Sequence, residues 1–196
     1  MSDTLDATNL LARLRKAVDP LDDPHPPPPF GPRKAAVLLL ADPSEPGLPL
    51  LFMLRSERVR HHRGQISFPG GGVEEDDASI GDAALRENAE EMGIPREDVE
   101  LIGKLPPLLT AVSNRWLTPI VGVLRRPVEV VADPFEVAEW FRVPIRVLMS
   151  APHRIQEVEH EGTQRRIHYY DVDGRVIWGV TGAILQELLA RLGRRD

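Results

Sequence analysis

The feature that most constrains the fold is a run of glycines between an apolar segment and a helical segment. Residues 67–77 read SFPGGGVEEDD, and glycine allows a chain to turn sharply and to approach a bound group closely. Residues 84–94, ALRENAEEMGI, carry their apolar side chains at helical spacing. Gly93 and Pro95 predict the end of this helix, because glycine caps a helix and proline does not continue it. A strand, a glycine turn and a helix are therefore expected in succession.

The predicted helix has a concentrated acidic face. Glu87, Glu90 and Glu91 stand at positions i, i+3 and i+4, where like charges cost about 0.2–0.5 kcal/mol per pair. One interpretation is a solvated surface, which is common for charged runs. The other is a site for a hard divalent cation, because carboxylates and glycine carbonyls supply the oxygen ligands that Mg²⁺ prefers. The glycines and the second acidic cluster at 74–77 favour the cation site.

The rest of the chain predicts an N-terminal segment and one larger domain. Thr4 to Val18 has the spacing of an amphipathic helix, and the proline-rich segment 25–32 follows as an extended linker. The N-terminal segment is therefore 1–32 and the larger domain 33–196. Strands are predicted at 34–41, 48–55, 64–70, 99–105, 116–124, 165–170 and 175–180, the first two as a hairpin. The pattern does not divide 136–150 into elements.

Two local signals mark the C-terminal part. Asp173 and Gly174 supply the positive backbone angles of a tight hairpin turn. Thr181 is expected to cap a final helix. The apolar stripe of that helix consists of Ile184, Leu185, Leu188, Leu189 and Leu192. The order of elements predicts an α/β fold of the α+β kind, with a mixed β-sheet and helices packed on it.

Composition excludes several classes of function. The chain has no cysteine, so it has no thiolate metal site and no cysteine nucleophile. A formal net charge of −6 argues against duplex nucleic acid as a partner, because such binding depends on neutralising phosphates. No apolar run is long enough to span a membrane, and the acidic N-terminus does not resemble a secretory signal. We therefore expect a cytoplasmic location and no membrane partner.

Residues 70–94 resemble the Nudix box, in which a glycine precedes a glutamate-rich helix. The matching positions are Arg86, Glu87, Glu90, Glu91, Gly93 and Ile94. Two positions depart from the pattern. Asn88 stands where the family has an aliphatic residue, and eight residues instead of seven separate Asp77, the equivalent of the first glutamate of the box, from Arg86. The resemblance implies a Nudix-type mixed β-sheet packed between helices.

Residues 51–71, LFMLRSERVRHHRGQISFPGG, resemble the motif of the coenzyme A pyrophosphatase branch of that family. The matching positions are Arg55, Ser56, Arg60, Gly64, Phe68, Pro69, Gly70 and Gly71. Phe52 and Met53 depart from the motif, whereas the extra residue before Arg86 also occurs in the branch. The resemblance implies a hydrolase that uses Mg²⁺ or Mn²⁺ to split coenzyme A into adenosine 3′,5′-bisphosphate and 4′-phosphopantetheine.

The resemblance also implies roles for individual residues. The metal ligands would be Glu87, Glu90, Glu91 and the carbonyl of Gly70 or Gly71. Arg86 would orient a glutamate, with a structural salt bridge as the alternative. Glu90 is the first choice for the general base, and the later carboxylates are further candidates: Glu136, Glu139 and Glu157. Substrate phosphates would be bound by Gly71 and an arginine loop, with a solvated loop as the alternative for the latter. The loop contains Arg55, Arg58, Arg60 and Arg63.

Two other functions are consistent with the same residues. The first is a Nudix pyrophosphatase for another nucleoside diphosphate derivative, such as ADP-ribose or a dinucleotide. The second is a non-catalytic nucleotide-binding module, which the concentrated negative charge on the helix disfavours. In each case the expected partner is a small molecule, and homodimer formation is left open.

Overall fold

The computed structural model describes residues 7–24, 31–59, 62–110, 114–160 and 162–194. Most of the predicted linker, 25–30, lies outside these ranges, as does Arg60 of the arginine loop. The helices are α1 (Ala7–Ala17), α2 (Ile80–Met92), α3 (Ile145–Ser150) and α4 (Gly179–Arg191). The strands are β1 (Arg33–Ala41), β2 (Pro49–Arg55), β3 (Ile66–Ser67), β4 (Gly70–Gly72), β5 (Val99–Lys104), β6 (Leu108–Leu109), β7 (Arg115–Leu124), β8 (Val137–Pro144), β9 (His153–His160), β10 (Thr163–Val172) and β11 (Arg175–Trp178).

The central sheet is mixed and is built around β1. This strand runs parallel to β7 along its whole length and antiparallel to β4 at its beginning. The predicted hairpin of β1 and β2 is confirmed, with Ala41 opposite Leu50. Beyond that point the two strands separate, because β4 occupies the edge of β1 and β2 pairs with β8 instead. The glycine strand is therefore held directly against β1.

Helices cover both faces of the sheet. On one face, Leu38 and Leu40 of β1 form a cluster with Ala84 and Met92 of α2. On the other face, Leu39 of β1 belongs to a larger cluster that contains residues of α1 and α4. The alternation follows from the strand geometry, since successive side chains point to opposite faces. The predicted fold class, a mixed sheet packed between helices, is confirmed.

The helix that carries the glutamates is longer than its predicted core. It begins at Ile80, because the Ser79 side chain accepts a hydrogen bond from the Asp82 backbone and caps the N-terminus. It ends as predicted at Gly93, whose φ of 66° is left-handed and whose N–H donates to the Ala89 carbonyl. The acidic face is thereby held at a fixed position beside β4.

A second sheet, of three antiparallel strands, lies towards the C-terminus. The turn between β10 and β11 is confirmed, with φ of 52° at Asp173 and 78° at Gly174. The sequence did not predict β9, whose eight residues, HRIQEVEH, are mostly polar. Segment 136–150 divides into β8 and α3. In the described residues, no helix is long and apolar enough to cross a membrane.

The prediction that Thr181 caps the final helix is wrong. The helix α4 begins at Gly179, which has a φ of 66°, so Thr181 lies within its first turn. Its buried hydroxyl donates to the carbonyl of Ile66 at 3.0 Å, which ties α4 to β3. The reason is tertiary, because a polar group buried against another strand must find its partner there. The predicted apolar stripe is buried and thus confirmed.

Candidate active site

Glu91 lies at the centre of the site although its carboxylate is almost fully buried. Its side chain is 3% exposed. One oxygen accepts a hydrogen bond from the N–H of Gly70 at 2.8 Å, and the other accepts one from Arg55 at 3.2 Å. Burial raises the pKa of Glu91 to about 8, because the charged carboxylate loses its hydration, and the donors Gly70 and Arg55 oppose this effect.

Glu87 lies one helical turn earlier, directly against the glycine strand. A Cβ atom added to Gly71 would overlap the carboxylate of Glu87, so the absence of a side chain makes room for this group. At Gly70 the φ of 154° and the nearby carbonyl of Ala36 also require glycine. Burial raises the pKa of Glu87 above its ordinary value. Two carboxylates therefore face the glycine strand in surroundings that disfavour negative charge.

Arg86 connects the acidic loop to the helix. Its guanidinium forms a bidentate pair with Asp77, with both N···O distances at 3.0 Å. The hydrogen bond from Arg86 lowers the pKa of Asp77. Arg86 also donates to the carbonyl of Gly72 at 2.8 Å, and to Glu87 and Glu90 at 3.1 and 3.2 Å. The arrangement combines the two roles considered for Arg86, orientation of glutamates and a structural ion pair.

The donor atoms fit a hard divalent cation. Glu87 lies against Gly71 and Glu91 accepts a hydrogen bond from Gly70, whereas Glu90 is 59% exposed. Across the described ranges, no three His, Asp or Glu side chains are grouped for a metal ion. Carboxylate pairs completed by water and substrate phosphates are nevertheless the usual ligands of Mg²⁺. A cation at Glu87 and Glu91 would compensate for their unfavourable negative charge.

The tertiary structure brings one later carboxylate to this site. Glu136 lies 3.7 Å from Arg55, and its negative charge contributes to the raised pKa of both Glu87 and Glu91, after burial. The other two candidates lie elsewhere. Glu139 pairs with Arg175, and Glu157 pairs with Arg166 on the three-stranded sheet.

The arginine loop is divided between different environments. Arg55 is only 19% exposed and is paired with Glu91 and Glu136. The Nε of Arg63 donates to the carbonyl of Val59 at 2.8 Å, and the side chain is exposed. Arg58 is also exposed. The structure thus brings Arg55 to the carboxylates, whereas Arg58 and Arg63 lie at the surface of the loop.

Two contacts of the site were not predicted. The pairing of Arg55 with Glu91 joins β2 to α2, and the local sequence contains no signal for it. The pairing of Asp77, the predicted equivalent of the first glutamate of the box, with Arg86 joins the acidic loop to α2.

The fold and the site define an α/β protein in which one helix presents carboxylates to a glycine strand. The family model described as "NUDIX domain" matches residues 31–164. An "Uncharacterized Nudix hydrolase NudL" of Citrobacter koseri is 38% identical over 165 residues, which are 83% of this chain and 84% of that protein. A protein of the same name from Photorhabdus laumondii is 38% identical over 157 residues, 80% of this chain and 83% of that protein.

A solved structure agrees with the observed fold. The MutT protein of Methanosarcina mazei superimposes with a TM-score of 0.53 at 17% identity, over 83% of this chain and 93% of that one. At this identity the likeness concerns the fold alone. The family match and the relatives together show that the chain belongs to the Nudix family. It is a Nudix hydrolase, in agreement with the first of the two sequence resemblances.

Proposed function

We propose that this Nudix hydrolase cleaves the pyrophosphate of coenzyme A, or of a coenzyme A derivative, with Mg²⁺ or Mn²⁺. The observation that supports this substrate is that Glu91, on the helix of the Nudix box, is contacted by residues of the coenzyme A motif. Gly70 and Arg55, both from the segment that resembles the coenzyme A branch, donate to this helix glutamate. The second motif is therefore part of the same site as the Nudix box.

Each residue has a distinct task in this proposal. A bound divalent cation supplies positive charge to the pyrophosphate oxygens and lowers the pKa of water. Glu87, Glu91 and a carbonyl of the glycine strand, Gly70 or Gly71, would hold the cation, with Glu90 as a further ligand. Arg86 orients Glu87 and Glu90 through its two hydrogen bonds.

The proposed general base takes a proton from the attacking water. Glu90 is the first candidate because it is exposed and lies on the same helix as the metal-binding glutamates. Glu136 is the second candidate because it lies beside Arg55 at the edge of the site. The product phosphates then separate, one with each half of the substrate.

A substrate panel with metal-depleted protein tests the proposal. Coenzyme A, ADP-ribose and a dinucleoside polyphosphate are compared with Mg²⁺, with Mn²⁺ and with a chelator. We expect the highest kcat/KM for coenzyme A and no turnover with the chelator. A higher kcat/KM for ADP-ribose or the dinucleotide would refute the coenzyme A assignment, and no turnover of any compound would favour a binding module.

Variants of the glutamates test the roles of the residues. We expect Glu90→Gln and Glu91→Gln each to lower kcat by about a hundredfold or more, which is the usual contribution of such groups. Glu187→Gln, on α4 and paired with Arg191, is the matched control and should retain full activity. Unchanged turnover in both active-site variants would exclude the proposed assignment.

The position of bond cleavage is tested by reaction in ¹⁸O-water. Attack on phosphorus places the label in one of the two phosphomonoester products. Label in neither product would exclude hydrolysis of the pyrophosphate.

A further inference from the structure

A basic pocket lies beside the glycine strand, where β1 and β7 begin. Its volume is about 370 Å³. The residues that line it are Arg33, Lys34, Gly72, Val73 and Arg115. Three of these five residues are cationic, although the whole chain has a net charge of −6. Neither the Nudix box nor the arginine loop contains any of the three cationic residues.

The two arginines of the pocket are direct neighbours. Arg33 and Arg115 are register partners in the parallel strands β1 and β7, so their side chains leave the same face of the sheet. Neighbouring strand backbones are about 4.8 Å apart, so the two cationic side chains start from adjacent positions and their positive charges repel each other. Among the described residues, no carboxylate forms an ion pair with Arg33, Lys34 or Arg115. An anion between the two guanidinium groups would offset this repulsion.

The glycine strand connects the pocket to the active site. Gly72 is opposite Ala35, and a Cβ atom at Gly72 would lie 3.0 Å from Nη1 of Arg115. The neighbouring residue, Gly71, faces Glu87 on the other side of the strand. The carbonyl of Gly72 also accepts a hydrogen bond from Arg86 of the active site at 2.8 Å, so a ligand that passes around the edge of β4 would contact both regions. The pocket is therefore suited to a second anionic group of a substrate whose pyrophosphate lies at Glu87 and Glu91.

We propose that Arg33, Lys34 and Arg115 bind a phosphomonoester of the substrate that is separate from the bond to be cleaved. This inference rests on the proposed function, in which the substrate is coenzyme A and the phosphomonoester is its 3′-phosphate. The guanidinium groups of Arg33 and Arg115 bind the phosphate oxygens, and Lys34 adds positive charge. The arginine loop is less suitable for this task, because Arg55 already pairs with two carboxylates.

The first experiment compares coenzyme A with 3′-dephospho-coenzyme A in the full-length enzyme. Wild type, the double variant Arg33→Gln/Arg115→Gln and the single variant Arg125→Gln are measured. Arg125 is an exposed arginine just beyond the other end of β7, so it is a matched control. We expect the double variant to lose about tenfold or more in kcat/KM for coenzyme A only. The rate with the dephosphorylated substrate shows that the variant is folded.

The second experiment measures binding without turnover. Calorimetry compares adenosine 3′,5′-bisphosphate with adenosine 5′-monophosphate, and inorganic phosphate is tested as a separate ligand. We expect the bisphosphate to bind more tightly to wild type and the difference to disappear in the double variant. Inorganic phosphate that binds as tightly as the bisphosphate would overturn the inference, because the pocket would then recognise a free ion.

The remaining outcomes separate the inference from the proposed function. An unchanged preference for the 3′-phosphate in the double variant, or no preference in wild type, overturns the inference while coenzyme A remains a substrate. If wild type does not cleave coenzyme A, the proposed function fails. The calorimetric difference then still decides whether the pocket binds a phosphomonoester.

Discussion

At the scale of single residues, Glu91 is a carboxylate whose negative charge is unfavourable in the folded protein. The carboxylate is buried, and among the described residues only Gly70 and Arg55 donate to it. Because its pKa of about 8 is above the ordinary value of 4.5, the folded protein binds a proton that the unfolded chain has released. The raised pKa of Glu87 acts in the same direction. Folding without a cation is therefore opposed by rising pH.

We predict that the metal-free protein loses stability between about pH 4.5 and pH 8. In this range the free energy of unfolding falls by up to about 1.4 kcal/mol per pH unit, or about 3–5 °C in Tm. Thermal unfolding in a chelator across this range measures the slope, and Glu91→Gln should flatten it. Added Mg²⁺ should stabilise more at pH 8 than at pH 5, because binding displaces the proton. Equal slopes in wild type and Glu91→Gln would contradict this account.

Asn88 is a second residue whose environment is unfavourable. It is fully buried on α2, and its Nδ2 and Oδ1 atoms have no hydrogen-bond partner in the described part of the chain. A buried polar group without a partner costs about 1–3 kcal/mol. The resemblance to the Nudix box places an aliphatic residue here, which has no such cost.

We predict that Asn88→Leu raises the free energy of unfolding by about 1–3 kcal/mol, because leucine has a similar branched shape and no polar atoms. Thermal or denaturant unfolding measures the change. Asn88→Ala is the control, since it removes the amide but leaves a cavity and should gain less. A lower Tm for Asn88→Leu than for wild type would show that the amide is satisfied in solution.

At the scale of elements, α1 is bound to the rest of the molecule by packing and by hydrogen bonds. Leu10 and Leu14 are buried in the same cluster as the apolar stripe of α4. Arg13 donates to the carbonyl of Leu192. The segment that follows the helix pairs with β5 through reciprocal backbone hydrogen bonds of 2.9 Å between Asp19 and Lys104. The apolar face that the sequence predicts for α1 therefore packs against the rest of the core.

We predict that Leu14→Ala destabilises the protein by about 2–5 kcal/mol, the usual cost of a large cavity in a core. Denaturant unfolding of the variant and of wild type measures the difference. Asn9→Ala, on the exposed face of the same helix, is the control and should change stability little. A small effect of Leu14→Ala, similar to that of Asn9→Ala, would show that α1 is not docked in solution.

At the scale of the whole molecule, one sheet connects the apolar clusters of both faces. Leu38 and Leu39 of β1 belong to different clusters, although they are adjacent in the chain. The three-stranded sheet is joined to the larger cluster by Tyr170, which is fully buried. Among the described residues, the three-stranded sheet has no apolar cluster of its own.

We predict that the protein unfolds in one cooperative transition. Trp116, Trp140 and Trp178 lie in β7, in β8 and at the end of β11, so fluorescence reports on both sheets. Far-UV circular dichroism reports mainly on the helices. The two denaturation curves should coincide, as required for a two-state transition. A fluorescence change at lower denaturant concentration than the helical signal would show that a sheet unfolds independently.

The sequence by itself determined the features that depend on neighbouring residues. The end of α2 at Gly93, the turn at Asp173 and Gly174 and the apolar stripe of α4 follow from local backbone preferences and helical spacing. The acidic face of α2 could also be predicted, because it depends on helical spacing. Thr181 is the exception, because its partner, Ile66, lies on a distant strand.

Only the tertiary structure decided which distant residues meet. Arg55 contacts Glu91 of α2 because of the place of β2 in the sheet. Glu136 lies beside Arg55 because β2 pairs with β8. The adjacency of Arg33 and Arg115 depends on the parallel register of β1 and β7. That register is set by burial of apolar side chains on both faces of the sheet, which is a property of the whole core and has no local signature.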